Sequence, residues 1–377
     1  MLYLDHAATT ELRPEAWKAM GDMREDFGNP SGVHAISRSA KNRLEADRER
    51  AAELIGASRA SEIVFTAGGT EADNLAITGA ALASDSPAHV VTSAIEHKAV
   101  LESAAFVETV GGRATIVGVD KHGLVDPAAV VSAVEPDTAV VSVMVANNET
   151  GALQPIAEIA QAVHAAHPGV LVHADAVQAF VSEPVTVSKL GVDLLSLAAH
   201  KFGGPKGVGL LYVRDGVRLE PVVHGGSQEQ GRRAGTHNPM GVAGMVAAME
   251  ATVTERSGFR ERVSEIRRSF EDTLAGLVPG LRINGPVDGR LVQHSHLGFP
   301  GHTSETLLIR FDQAGLAAAA GSACQSGAVE VSHVLAAMGM GEQEAAESVR
   351  FSFGWTSVAS EAELACKIIG EVLEDLS

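Results

Sequence analysis

The amino-acid sequence predicts an α/β protein with one large domain around a mainly parallel sheet and a smaller unit at the C-terminal end. Three observations lead there. Short β-branched runs alternate with Ala-rich helical stretches, 377 residues are too many for one ordinary compact domain, and the pattern changes near residue 256. No internal repeat or low-complexity linker interrupts the alternation.

Taken in chain order, the run from Ile36 to Leu54 reads as an amphipathic helix. Ile36, Ala40, Leu44, Ala51 and Leu54 make its apolar face, and its Arg and Glu side chains form a solvated face. Strands are expected at "EIVFTA", "HVVTSAI", "TAVVSVMVA", "VLVHADA" and "VDLLSLAA". Beyond residue 256 come a charged helix, "RERVSEIRRSFEDTLAGL", Gly- and His-bearing segments, and a helix-like tail. These place a large domain at 14–255 and a small one at 256–377, with residues 1–13 packing on the latter.

Composition excludes several classes of function. With 45% hydrophobic and 20% charged residues the chain buries a sizeable core and is not disordered. Its apolar runs stop well short of the ~20 residues that span a bilayer. The start, "MLYLDHAATT", has neither the basic leader nor the apolar stretch of an export signal, so a cytoplasmic protein is expected. Two cysteines cannot build a disulfide framework, which leaves any cysteine chemistry to a single thiol. A net charge of −18 repels phosphate backbones and makes nucleic acid an unsuitable partner.

In open α/β sheets ligands bind outside the carboxyl ends of the strands. Here each such end is polar. "EIVFTA" runs into Gly68, Gly69, Thr70 and Glu71 and then a helix, which aims backbone N–H groups and the Thr70 hydroxyl at an anion. The next ends carry Glu96, His97 and Lys98, then Asn147, Asn148 and Glu149, then Asp175 and Gln178, then His200 and Lys201. Each alone reads as a cap or turn, but five together point to one site. A nicotinamide reading of "AGGTEADN" fails because the glycine spacing is wrong for the dinucleotide fingerprint.

Lys201 suggests the chemistry. A partly desolvated lysine loses its proton more readily, and its free amine can form a Schiff base with an aldehyde. Pyridoxal phosphate supplies such an aldehyde and also needs an acid at its ring nitrogen, a phosphate cradle, a group over the ring and a donor to its phenolic oxygen. Asp175, the Gly69–Thr70 turn with His200, His97 and Gln178 match those needs in turn. The competing reading is a lysine that opens a Gly-rich turn and reaches to water.

Ten segments then resemble a known family: "YLDHAATT", "GNPSGVH", "FTAGGTEADNLA", "EHKAV", "NNETG", "HADAVQ", "HKFGGPKGVG", "HGGSQEQGRRAGT", "GSACQSG" and "VRFSFG". In that order and over nearly the whole chain, the sequence resembles the pyridoxal-phosphate-dependent cysteine desulfurases of the NifS/IscS type, in the class V branch of the aminotransferase fold. The resemblance implies the PLP-dependent transferase fold (fold type I), with a seven-stranded sheet and a smaller α+β C-terminal domain. It implies Cys324 as nucleophile, Lys201 and His97 as catalytic residues, Arg350 for the substrate carboxylate and Asn148 near substrate and cofactor. It implies that Thr236 reaches the cofactor phosphate of a neighbouring subunit, hence a homodimer with shared active sites. The reaction implied turns L-cysteine into alanine and leaves a persulfide on Cys324 for a sulfur-acceptor protein, an iron-sulfur scaffold among the candidates. No metal site is expected, and Cys366 is read as a small buried hydrophobe. Selenocysteine lyase, aminotransferase or a sulfur carrier without turnover are the alternatives. The chain departs from the family pattern at Ala198, where serine is common, at Trp355, where arginine often follows, and at Glu11, where proline is frequent.

Overall fold

The structure is a computed structural model that describes residues 1–84, 87–321 and 332–376. Its strands are β1 (Leu2–Tyr3), β2 (Ile63–Thr66), β3 (His89–Ser93), β4 (Arg113–Val117), β5 (Thr138–Ser142), β6 (Leu171–Asp175), β7 (Leu194–Ala198), β8 (Gly209–Val213), β9 (Arg282–Ile283), β10 (His294–Gly298), β11 (Leu316–Ala317) and β12 (Ser348–Ser352). Seven form the central sheet in the order β2-β8-β7-β6-β5-β3-β4. All run parallel except β8, which pairs antiparallel with both β2 and β7. The expected strands are all present; β4 and β8 are added to them.

Successive residues of the sheet serve opposite cores. Val90, Val140, Leu194 and Leu211 pack on one face, and Val91, Val141, Leu195 and Leu210 on the other. With both faces covered, these strands read as continuous apolar runs. A third core holds Leu2 and Leu4 with Phe259, Phe270, Phe299, Phe311, Phe351 and Phe353. It backs the three-stranded sheet β12-β10-β9, and β1 joins it by pairing in parallel with β11.

The helix Ala35–Ile55 corrects the expected face. Ile36 is 45% exposed, whereas Arg48 is buried. Arg48 leaves the solvated face because a carboxylate far along the chain, Glu229, pairs with it at 2.6 Å. The charged helix expected near residue 260 in fact begins at Pro239 and runs to Leu277. Asn238 caps it by accepting from the Gly241 N–H at 3.0 Å. Its first three turns are Gly- and Ala-rich and buried nearly all round, so they show no amphipathic period. Among the described residues no helix is long and apolar enough to cross a membrane.

Candidate active site

The carboxyl ends of five parallel strands open onto one cavity of about 420 Å³. Gly69 and Thr70 follow β2, His97 follows β3, Asn148 and Glu149 follow β5, Asp175 and Gln178 end β6, and His200 and Lys201 follow β7. Arg350 enters from β12 and Gly321 from beyond β11. Of the residues given a catalytic or binding role above, the structure brings all together except Thr236, which is exposed and not in this cavity's lining, and Cys324, which lies outside the described residues; of the polar strand ends, Glu71, Glu96 and Asn147 do not line it.

The β2 turn is built by glycine. Gly68 has φ 155° and ψ −179°, a region open to glycine alone, and it starts the helix Gly69–Leu82. A side chain at Gly209 would stand 2.5 Å from the Gly68 carbonyl carbon, so glycine there lets β8 pass beneath the turn. The helix start then presents free N–H groups to the cavity.

Lys201 is held by the N-terminal segment. Its Nζ donates to Ala7 O at 2.6 Å and Ala8 O at 3.0 Å. Burial, and after it the charge of Arg350, lowers the amine to about 8, while Asp175 and Asp5 oppose the shift. The lysine therefore releases its proton far more easily than one in solvent. Gln178 Nε2 also donates to Ala7 O, at 2.9 Å. Arg350 donates from Nη2 to Asp5 at 2.7 Å and from Nη1 to Asn148 O at 2.9 Å. Asp5, Ala7 and Ala8 thus brace Lys201 and Arg350, a role the sequence reading did not assign to the "YLDHAATT" segment. A purely structural salt bridge is the competing reading of Arg350, and the pair with Asp5 is present, but the Arg350 Nε is buried without a hydrogen-bond partner among the described residues.

Asp175 accepts from the Val177 N–H at 2.8 Å through Oδ1. Burial raises its carboxyl, and the nearby His97 and Lys201 pull it back down. His97 caps the helix Lys98–Thr109 by accepting the Ala99 N–H on Nδ1 at 3.1 Å, so its neutral ring carries the proton on Nε2. Burial lowers its proton affinity. His200 Nδ1 lies 3.2 Å from the Thr9 hydroxyl, and burial, then Lys201, lowers its ring to about 4. His296, in register with Arg350, is lowered by burial to about 3 and adds no charge beside that guanidinium.

Several buried oxygens in this region have no hydrogen-bond partner among the described residues: Asn148 Oδ1, Glu96 Oε2 and Glu149 Oε1, while Asp73 Oδ1 has only His173 Nε2 at 3.7 Å. Buried polar atoms are normally satisfied, so such a cluster signals a ligand site. Asp73 and Glu149 line the cavity; Glu149 is one of the strand-end residues read from the sequence, whereas Asp73 was not singled out there. Asp73 falls one turn after Thr70 on the same helix, a spacing that could have revealed it.

Residues 2–364 match the model of the aminotransferase class-V family. The chain belongs to the class V aminotransferase family. It is 41% identical to the cysteine desulfurase IscS of Dictyoglomus turgidum, over all of this chain and 95% of that one. It is 40% identical to the cysteine desulfurase IscS of Methanosarcina thermophila, over all of this chain and 92% of that one. A solved NifS-like protein superposes with a TM-score of 0.93 at 34% identity, covering 99% of each chain. Proteins of this class V branch depend on pyridoxal phosphate, and the cavity fits that group. A lysine of lowered proton affinity, a buried carboxyl, an imidazole and a helix start surround one space, and a Cβ at Gly69 would crowd it, 3.0 Å from Val177 Cγ2. Cys366 is buried against the Phe270 carbonyl and burial pushes its thiol up to about 11, as suits a small buried hydrophobe.

Proposed function

We propose that this chain is a cysteine desulfurase that converts L-cysteine to L-alanine and carries the released sulfur as a persulfide on Cys324. The observation that carries this reading is the convergence of Lys201, Asp175 and Arg350 on a cavity whose wall includes Gly321, three residues before Cys324. Gly69, Thr70 and His200 would hold the cofactor phosphate, Asp175 its ring nitrogen, His97 its ring face, Gln178 its phenolic oxygen, and Lys201 its aldehyde carbon. When bound, the cofactor supplies the electron sink that chemistry at the substrate Cα requires.

The chain's own residues do the rest. Arg350 receives the substrate carboxylate on its guanidinium edge, with the unpartnered Asn148 Oδ1 beside it as an acceptor. Lys201, once free, takes the Cα proton, a role suited to an amine near 8. Cys324 attacks as thiolate: an S–S bond forms, the substrate C–S bond breaks, and the carbon skeleton leaves as alanine once reprotonated. His97 Nε2–H stands as the proton donor on the ring side. Thr236, exposed in one chain, is assigned to the phosphate site of a second subunit in a homodimer. The reading also divides the chain into 14–255 and 1–13 with 256–377, places it in the cytoplasm and assigns the persulfide to an acceptor protein. Iron-sulfur assembly is the route suggested by the names of the relatives.

The test is to give purified holoprotein L-cysteine with a thiol reductant and to quantify alanine, sulfide and pyruvate. Equal alanine and sulfide, both lost in Cys324→Ala while the cofactor stays bound, support the reading. Pyruvate, or full sulfur transfer by Cys324→Ala, would overturn it.

A further inference from the structure

The loop that leads into the helix Pro239–Leu277 contains a buried ion pair that the cavity does not use. Arg48 grips Glu229 with two bonds, Nη1 to Oε2 at 2.6 Å and Nη2 to Oε1 at 3.0 Å. The same carboxylate accepts the Phe65 N–H at 3.2 Å and faces His237 Nε2 at 3.0 Å. Arg48 also donates to Ile63 O at 2.9 Å and lies 4.6 Å over the Phe65 ring. Burial pushes the Glu229 carboxyl up, but the bonds from His237 and Arg48 outweigh it and hold the group below its ordinary range.

The backbone at this point is unusual. Among the described residues other than glycine, only Glu229 and Gln230 have positive φ, at 47° and 59°. Residues with a Cβ rarely adopt that region and persist there where their surroundings over-determine them. Arg48, Phe65 and His237 supply that determination.

What the loop presents is Thr236. On one side the Gly235 N–H donates to Gln228 Oε1 at 3.1 Å; on the other His237 is tied to Glu229. Arg233 pairs with Glu71 at 2.8 Å, next to Thr70 at the helix start. Thr236 is therefore held between anchored neighbours while its own side chain is exposed and not part of its own cavity's lining. Beside the loop runs a groove of about 560 Å³ lined by Ser31, Lys41, Gln228 and His237, with Phe27 and Val33 exposed nearby. A rigidly held exposed hydroxyl is the form a binding group takes when its ligand lies on another molecule.

We infer that Arg48, Glu229 and His237 are positioning residues that fix the 229–237 loop so that Thr236 completes the cofactor-phosphate site of a second copy of this chain. The inference rests on the proposed homodimer with shared sites. It adds that the loop's shape, and through it cofactor affinity in the other subunit, depends on a charge pair that does not line the cofactor cavity.

The experiment measures pyridoxal phosphate affinity of the apoprotein dimer by the visible absorbance of bound cofactor, with mass by light scattering. Glu229→Gln keeps the volume and removes the charge; Arg48→Lys keeps the charge and removes the two-pronged grip. Each is expected to weaken binding about ten-fold or more at unchanged dimer mass and circular dichroism. Should one variant fail to fold, the other carries the test. Mixed dimers with Lys201→Ala chains give the direction. The one site that retains Lys201 then belongs to the Glu229→Gln chain and takes its loop from the intact partner, so wild-type affinity returns there. Wild-type affinity in both single-variant homodimers, or no recovery in the mixed dimer, would overturn the inference. A wild-type monomer with tight cofactor binding would remove the dimer and the inference with it. Absence of alanine production would instead remove the desulfurase reading and leave these affinities standing.

Discussion

Strand β12 separates two regions built on opposite terms. Phe351 points into a core where the rings of Phe270, Phe299 and Phe311 lie 5.2, 6.3 and 6.1 Å from its own, and it is fully buried. Arg350, one residue earlier, faces the cavity, where buried oxygens and its own Nε lack partners. The alternation of a strand makes this division possible, because neighbouring residues address opposite faces. The phenylalanine side gains stability from close packing. The cavity side leaves polar groups unsatisfied, which costs stability and is what ligand binding requires.

If that division holds, substitutions on the two sides should separate activity from stability. The largest effect is expected from Lys201→Ala, with sulfide release from L-cysteine falling on the order of 10³-fold or more. The unfolding midpoint of the cofactor-free variant should be unchanged or higher, since a buried cation is removed. A variant that lost stability together with activity would break the comparison.

Next in size is a pair with opposite signatures. Phe351→Ala is expected to lower unfolding free energy by about 3–5 kcal/mol in denaturant titrations. Gly69→Ala should alter stability by no more than about 1 kcal/mol, because alanine favours the helix that begins there. It should nonetheless weaken pyridoxal phosphate binding, as its methyl would stand 3.0 Å from Val177 Cγ2 and 3.3 Å from Ala198 Cβ. Equal cofactor affinity in Gly69→Ala and wild type would remove the helix start from the phosphate site.

The cavity side was far more legible in the sequence than the rest. Its residues sit at strand ends, where local patterns mark both the strand and the polar residue after it, as at Asp175 and Lys201. Residues fixed by distant partners left no local mark. Arg48 has the spacing of a solvated position and is buried only because Glu229, across 181 residues, meets it. Asp5, Ala7 and Ala8 brace Arg350 and Lys201 through contacts that span most of the chain, two of them through backbone carbonyls that carry no residue signature. Ala198, the departure from the common serine, has its Cβ beside Gly69 and leaves the Thr70 hydroxyl and His200 as cavity donors there.

The smallest expected effect sharpens the comparison inside the cavity itself. Burial and then Arg350 hold Lys201 at about 8, whereas Lys18 lies on the surface with its side chain 78% exposed. Only the neutral amine is acylated, so in the cofactor-free protein acetic anhydride labelling of Lys201 should rise roughly ten-fold from about pH 7 to about pH 9 and then level off. The sign follows from which form is disfavoured: a buried ammonium beside a guanidinium loses its proton early, so the folded chain releases it at lower pH than the unfolded chain. Between about 8 and 10 the unfolded chain thus holds more protons at this site, and its contribution to stability grows with pH. Arg350→Met removes one of the two lowering influences and leaves Asp175 and Asp5, which raise, unopposed by it. The labelling curve of Lys201 should then move to higher pH, read by mass spectrometry against Lys18 in the same sample. A wild-type Lys201 curve centred on the general lysine range at about 10.4, or one that stays fixed in Arg350→Met, would mean that the cavity treats its lysine as solvent does.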